Sequence, residues 1–246
     1  MSEAAIAARH ELDRLLDTGA PALRANLPPG FADAATRFVG LLLDANTRLN
    51  LTRIVEPASV ARLHLLDALS ALPIFDAASP SRALDLGSGG GVPGVVLAIA
   101  RPDVSWTLVD SVRKKAEALR SFVVALGLAN VAVVADRAEL LGRDSSHRER
   151  HDLLTARACA PLPVLAEYAL PLLRTGGTVV AWKGRIDERE LAAGKAAAHL
   201  LGGRLELRPS GVALLGDHQF ALMTKEHPTP DRFPRRPGGP ARRPLG

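Results

Sequence analysis

Along residues 31–49, FADAATRFVGLLLDANTRL, apolar side chains return at Phe31, Ala35, Phe38, Leu42, Ala45 and Leu49. Steps of four and three place them on one face of an α-helix that must lie on a core. A second helical pattern, Val60, Leu63, Leu66 and Leu69, runs from a capping Ser59 towards Pro73, with NLTRIVEP between the two as a loop. From residue 82 the rhythm changes. RALDL (82–86), SWTLVD (105–110), VAVVAD (131–136), HDLLTAR (151–157) and GGTVVAWKG (176–184) are short apolar runs that predict strands. PGVVLAIAR (93–101), with proline in its first turn, and SVRKKAEALRSFVVALGL (111–128) predict helices between them. Strands alternating with helices predict an α/β fold, a parallel sheet covered on both faces. RLELRPSGVAL and HQFALMTK predict a closing pair of strands.

Three segments follow: a helical segment over 1–72, an α/β domain over 73–226, and a tail over 227–246. The tail holds six prolines and three glycines, so it is expected to stay extended, without a packed core. It also holds five arginines against one aspartate, a net +4 of the chain's formal +5. A basic tail on a near-neutral body is either a contact for a polyanion or a solubilising end.

Hydrophobic residues at 47% and charged residues at 23% are ordinary for a globular protein. The single cysteine, Cys159, excludes an internal disulfide framework and a multi-cysteine zinc site, in keeping with a reducing cytosol. The first residues, MSEAAIAARHELDRLLD, are charged throughout, unlike a signal peptide. The apolar stretch VPGVVLAIA falls far short of the ~20 residues of a membrane span. A soluble, cytoplasmic monomer without membrane contact or bound metal is expected.

The candidate chemistry begins at ALDLGSGGGVPG (83–94), five glycines in twelve positions after a strand. No lysine followed by Ser or Thr comes after them, which argues against a triphosphate-binding P-loop. Gly89, Gly91 and Gly94 match the dinucleotide pattern, with Asp110 21 residues beyond Gly89. A nicotinamide-dependent oxidoreductase therefore stays open. Asp85, ending the first strand, would repel a pyrophosphate and accept a cationic sulfonium and amino group, which favours S-adenosylmethionine. Asp110 ends the second strand, where its carboxylate can take the two ribose hydroxyls or cap the next helix. Residues 136–139 follow the third strand, where they can bracket an adenine.

NLTRI, HLLDAL, ALDLGSGGGVPGVVLAIARPD, LVDSVRKK, TARACAPL, LLRTGGTVVAWKGR and RFPRRPGGPARRPL, in this order and spacing, resemble the bacterial 16S ribosomal RNA guanine-N7 methyltransferases, the GidB or RsmG family. The resemblance covers the chain from about residue 38 onward. It implies a class I Rossmann-like S-adenosylmethionine-dependent methyltransferase behind a small N-terminal helical segment, acting on 16S ribosomal RNA within the small subunit or its precursor. It implies cofactor contacts at Gly87, Val92, the pair Ala138–Glu139 and Arg157, beside Asp85, Gly89 and Asp110. Two departures from the family pattern, Arg62-Leu63-His64 and His218, fall at positions expected to face RNA.

Guanine N7 carries a lone pair and no proton, so no general base is needed and no catalytic base is assigned. Transfer then rests on proximity and orientation, worth ~7–11 kcal/mol when well arranged. TARACAPL lacks the Asn/Asp-Pro-Pro-aromatic turn of exocyclic-amine methyltransferases, and alanine precedes Cys159 where a pyrimidine nucleophile would follow proline. Arg157 is expected at the junction of cofactor and substrate. His64, one helical turn from Asp67, either faces the pocket or forms a helix-surface pair. Arg113, Lys183, Arg235 and Arg236 are candidates for RNA phosphates. With aromatics at 4%, an extended base-stacking platform is not expected. A non-catalytic RNA-binding module on the same fold is the third reading.

Overall fold

The computed structural model describes residues 2–246. Its first part is helical: α1 (Glu3–Gly19), α2 (Pro21–Ala25), α3 (Phe31–Leu49), α4 (Pro57–Val60), a π-helical turn over Ala61–Leu66, α5 (Asp67–Leu69) and α6 (Leu72–Ala78). The stripe Phe31, Ala35, Phe38, Leu42 and Ala45 is buried as its spacing requires. Capping of the next helix differs from expectation. Glu56, not Ser59, closes its N-terminus, its carboxylate accepting from the Ala58 and Ser59 amides at 3.0 and 2.8 Å. The stretch Pro57–Ala78 is 22 residues long with mean hydropathy 1.3, long and apolar enough to cross a membrane, but 72% of its apolar window is buried within the protein.

Seven strands follow: β1 (Arg82–Leu86), β2 (Ser105–Val109), β3 (Val131–Val134), β4 (His151–Arg157), β5 (Leu173–Lys183), β6 (Gly203–Pro209) and β7 (Gln219–Lys225). They form one sheet in the order β3-β2-β1-β4-β5-β7-β6, with β7 antiparallel to both neighbours. The helices between them are α7 (Gly94–Ala100), α8 (Arg113–Leu126), α9 (Ala138–Leu141), α10 (Leu162–Ala169) and α11 (Glu188–Leu200). Strand residues alternate between two cores. Ala83, Trp106, Leu108, Leu153 and Phe220 pack with α1, α3, α7 and α8 on one face. Leu84, Val109, Leu154, Ala221 and Met223 pack with α10 and α11 on the other. The N-terminal helices thus share a core with the sheet. Chain order reverses between β1 and β4, and a parallel sheet opens a crevice at the carboxyl ends of the strands at that point.

The tail is not an unpacked end. After β7 it runs back across the second face and closes with α12 (Gly239–Arg242). Phe233 is 5% exposed within the second core, a burial worth ~1.5–3 kcal/mol. Arg148 donates to the carbonyls of Thr229 and Phe233, each at 2.8 Å. Lys225, fully buried, binds Thr229 Oγ1 at 2.7 Å and Glu149 at 2.9 Å. The Pro/Gly composition suggests a solvated coil, but body side chains supply the backbone partners that this segment cannot supply itself.

Candidate functional site

The loop between β1 and α7 leaves the sheet at the switch point. Gly87 and Gly89 have φ of +71° and +55°, in the left-handed region that glycine enters without strain. Gly91, at φ +90°, shares that region, and crowding adds a second cause there and at its neighbours. A Cβ at Gly90 would stand 2.9 Å from Leu42, one at Gly91 3.1 Å from Phe38, and one at Gly94 2.5 Å from Asp85 Oδ2. The bare Gly90 and Gly91 let α3 lie directly on the loop, and the bare Gly94 lets α7 pack over Asp85.

Asp85 is not at the pocket surface, contrary to expectation. It is 0% exposed, its Oδ1 accepts from the Thr155 hydroxyl at 2.6 Å, and its Oδ2 has no partner among the described residues. Burial pushes its carboxyl up to about 6, against the lowering pull of the Thr155 bond. A strand alternates its faces, and this position points down beneath α7. Asp110 is 6% exposed, and its Oδ2 and Oδ1 accept from the amides of Gly89 and Val112 at 2.9 and 2.8 Å. It pins the glycine loop to the end of β2.

Three cavities line up along the crevice. The first is bounded by Gly87, Ser111, Asp136, Arg137, Ala138, Glu139, Cys159 and Tyr168. The second is bounded by Thr52, His64, Gly87, Gly89, Val92, Lys115 and Arg157. Gly87 lies on both, so a side chain there would narrow the passage. The third, about 710 Å³, is lined by Ile54, Leu63, His64, Asp67, Arg157, Trp182, Lys183 and His218. It joins the second at Thr52, His64, Arg157 and Ala158.

The join is tightly wired. Arg157 Nη1 donates to the Leu63 carbonyl at 2.7 Å and lies 3.4 Å from Asp67 Oδ2, while its Nη2 is 3.1 Å from His64 Nδ1. His64 Nε2 is 2.9 Å from Thr52 Oγ1. On the other side Asp67 Oδ1 is 3.0 Å from His218 Nδ1, and the Trp182 indole donates to the Asp67 carbonyl at 2.8 Å. The π turn brings His64 and Asp67 together on Arg157; such turns cluster at functional sites. Burial, and then the Arg157 charge, pull the His64 imidazole down to about 4, so it is neutral at pH 7. His64 and Asp67 are thus pocket residues, and His218 joins them.

Of the expected RNA contacts, Lys183 lines the third cavity, but its ammonium binds Glu190 and the Ala160 carbonyl, each at 3.0 Å. It fastens the loop after β4. Arg113 is exposed, and its neighbour Lys115 is the one that turns into the crevice. Arg235 is not free for RNA: its Nε meets Glu167 at 2.9 and 3.0 Å, and Glu167 is 0% exposed. A buried carboxylate needs a fixed partner more than a phosphate needs this arginine. Arg236 is exposed. Glu139 accepts from Arg137 at 3.1 Å and from the Gly238 amide of the tail at 2.7 Å. Thr52, within the NLTRI motif but given no role of its own there, and Tyr168 join the site only in the structure. Burial pushes the Cys159 thiol up to about 11, which disfavours a thiolate nucleophile.

A seven-stranded sheet of this order, with a glycine-loop crevice at its switch point, defines the class I methyltransferase fold. Solved structures agree: the chain is similar to the O-methyltransferase TomG of Streptomyces achromogenes, in complex with SAM (TM-score 0.54, 18% identity, 77% of this chain and 90% of that one). It is also similar to an O-methyltransferase of Bacillus cereus in complex with SAH (0.54, 16%, 77% and 91%). The model of the family GidB, rRNA small subunit methyltransferase G, matches residues 32–213. Relatives named ribosomal RNA small subunit methyltransferase G include those of Deinococcus radiodurans, 42% identical over 94% of this chain and 92% of the relative, and of Moorella thermoacetica, 39% over 95% and 98%. The chain belongs to the rRNA small subunit methyltransferase G family.

Proposed function

We propose that the protein is an S-adenosylmethionine-dependent methyltransferase that modifies N7 of a guanine in 16S ribosomal RNA, within the small subunit or its precursor. The observation that carries this reading is the continuous crevice from the glycine loop to the third cavity, joined at Arg157. The residues fit the cofactor. Gly87 and Gly89 form a cradle that a Cβ would fill, Asp110 holds that cradle, and Arg137, Ala138 and Glu139 offer a purine-sized recess beyond it. When bound there, the cofactor supplies a methyl group on a sulfonium.

The chain's own residues orient and enclose. Arg157 fixes His64 and Asp67 at the mouth of the third cavity, whose Trp182, Leu63 and Ile54 give an apolar wall for a base turned out of the RNA. The acceptor nitrogen of His64 is taken by Arg157, so this imidazole does not receive a proton, as N7 chemistry requires. Lys115 on the crevice and the exposed Arg236 and other arginines of the tail are the groups expected to hold phosphates of a folded RNA by charge. The protein works as a cytoplasmic monomer without metal in this reading. Transfer of labelled methyl to unmodified small subunits tests it; RNA binding without transfer marks the module reading instead.

A further inference from the structure

The hydrogen bonds at the join leave one proton without a partner among the described residues. Arg157 Nη2 is a donor with no lone pair, so His64 Nδ1, 3.1 Å away, must be the acceptor. The other tautomer would set an Nδ1–H against a guanidinium N–H. The Leu63 carbonyl, 3.3 Å from Nδ1, is already served by Arg157 Nη1 at 2.7 Å. His64 therefore carries its hydrogen on Nε2 and donates it to Thr52 Oγ1 at 2.9 Å. That oxygen also accepts the Ile54 amide at 3.0 Å. Both lone pairs of a hydroxyl are then used. Its own proton has no partner among the described residues, and Thr52 lines both the second and the third cavity where they meet.

We infer that Thr52 is a specificity-determining residue whose hydroxyl donates to O6 of the target guanine. Guanine presents N7 and O6 side by side as acceptors, whereas adenine presents N7 beside an N6 amino donor. A donor with both lone pairs occupied accepts the first pair and opposes the second, because it cannot turn round to receive a hydrogen. The Arg157–His64 chain thus fixes the direction of one O–H bond, and that direction reads guanine against adenine while leaving the N7 lone pair free. This inference rests on the methyl-transfer reading above.

The test is a cycle of enzyme and base variants. Small-subunit RNA is prepared with guanine or with 2-aminopurine, which keeps N7 and lacks O6, at the methylated position. Wild type is expected to lose about tenfold or more in kcat/KM on 2-aminopurine, the order of one missing hydrogen bond of ~1.4 kcal/mol. Thr52→Val is expected to be slowed similarly on guanine and to show no further loss on 2-aminopurine, with Thr52→Ser restoring both rate and discrimination. S-adenosylmethionine affinity should be unchanged in both. Equal losses on the two bases for Thr52→Val, or full wild-type activity on 2-aminopurine, would overturn the inference. If Thr52→Val does not fold, Thr52→Ala takes its place in the same cycle. A wild type that methylates neither RNA removes the methyl-transfer reading first, and this inference with it.

Discussion

Replacing Arg235 by methionine keeps the length of the side chain and removes its guanidinium. Glu167, fully buried, now takes bonds from the Arg235 amide at 2.8 Å, from Nε at 2.9 and 3.0 Å and from Nη2 at 2.5 Å. After the change only the amide is left. Removing one partner of a buried ion pair costs ~3–5 kcal/mol. The Arg235 side chain is 30% exposed, so water relieves part of this and about 3 kcal/mol is expected. With a urea slope of about 3 kcal/mol/M, the midpoint falls by about 1 M. Arg235→Lys keeps the charge but not the fork, and should lose only ~1 kcal/mol. Urea titrations followed by far-UV circular dichroism read both. A solvated tail would tolerate either change within about 0.5 kcal/mol, and that result for Arg235→Met would refute the packed tail.

Three further outcomes are expected. Asp110→Ala frees the Gly89 and Val112 amides, so calorimetry should show S-adenosylmethionine binding weakened by ~1–3 kcal/mol in a folded protein; unchanged affinity removes Asp110 from the site. His64 and His151 are held neutral, each pulled to about 4 chiefly by burial. Their stabilisation is present above the unfolded value of about 6.5 and is lost as pH falls from there towards 4; Asp85, raised to about 6, works the other way below 6. Two groups against one predict a lower urea midpoint at pH 5 than at 7.5, a difference that His151→Gln should reduce; an unchanged difference would contradict these burials. With saturating substrates the transfer rate should be flat from pH 7 to 9, since no side chain takes a proton from N7. A tenfold climb per pH unit across that range, with chemistry limiting, counts against N7.

Much of the fold is legible because one signal dominates it. The alternation of RALDL, SWTLVD and HDLLTAR with amphipathic helices places β1, β2 and β4 to within a residue. The glycine loop is legible as a site, but not the reasons for its glycines: sequence does not show that α3 lies on Gly90 and Gly91. Nor does it show which way the end of a strand points, so Asp85 and Asp110 look equivalent while one is sealed beneath α7 and the other pins the loop. The tail is misread because its partners, Glu167, Lys225 and Arg148, are scattered along the chain and each looks like an ordinary surface charge. The wiring of Thr52, His64, Arg157 and His218 spans 167 positions and exists only once β4 and β7 bring its ends together.

The central claim, methyl transfer to guanine N7, is met most directly by the product itself. Purified full-length protein is incubated with labelled S-adenosylmethionine and small subunits that lack the modification, and the RNA is digested to nucleosides. One labelled 7-methylguanosine per 16S RNA, absent with Arg157→Met, is the predicted result. Label in N2-methylguanosine, in a pyrimidine or in no nucleoside at all would contradict it.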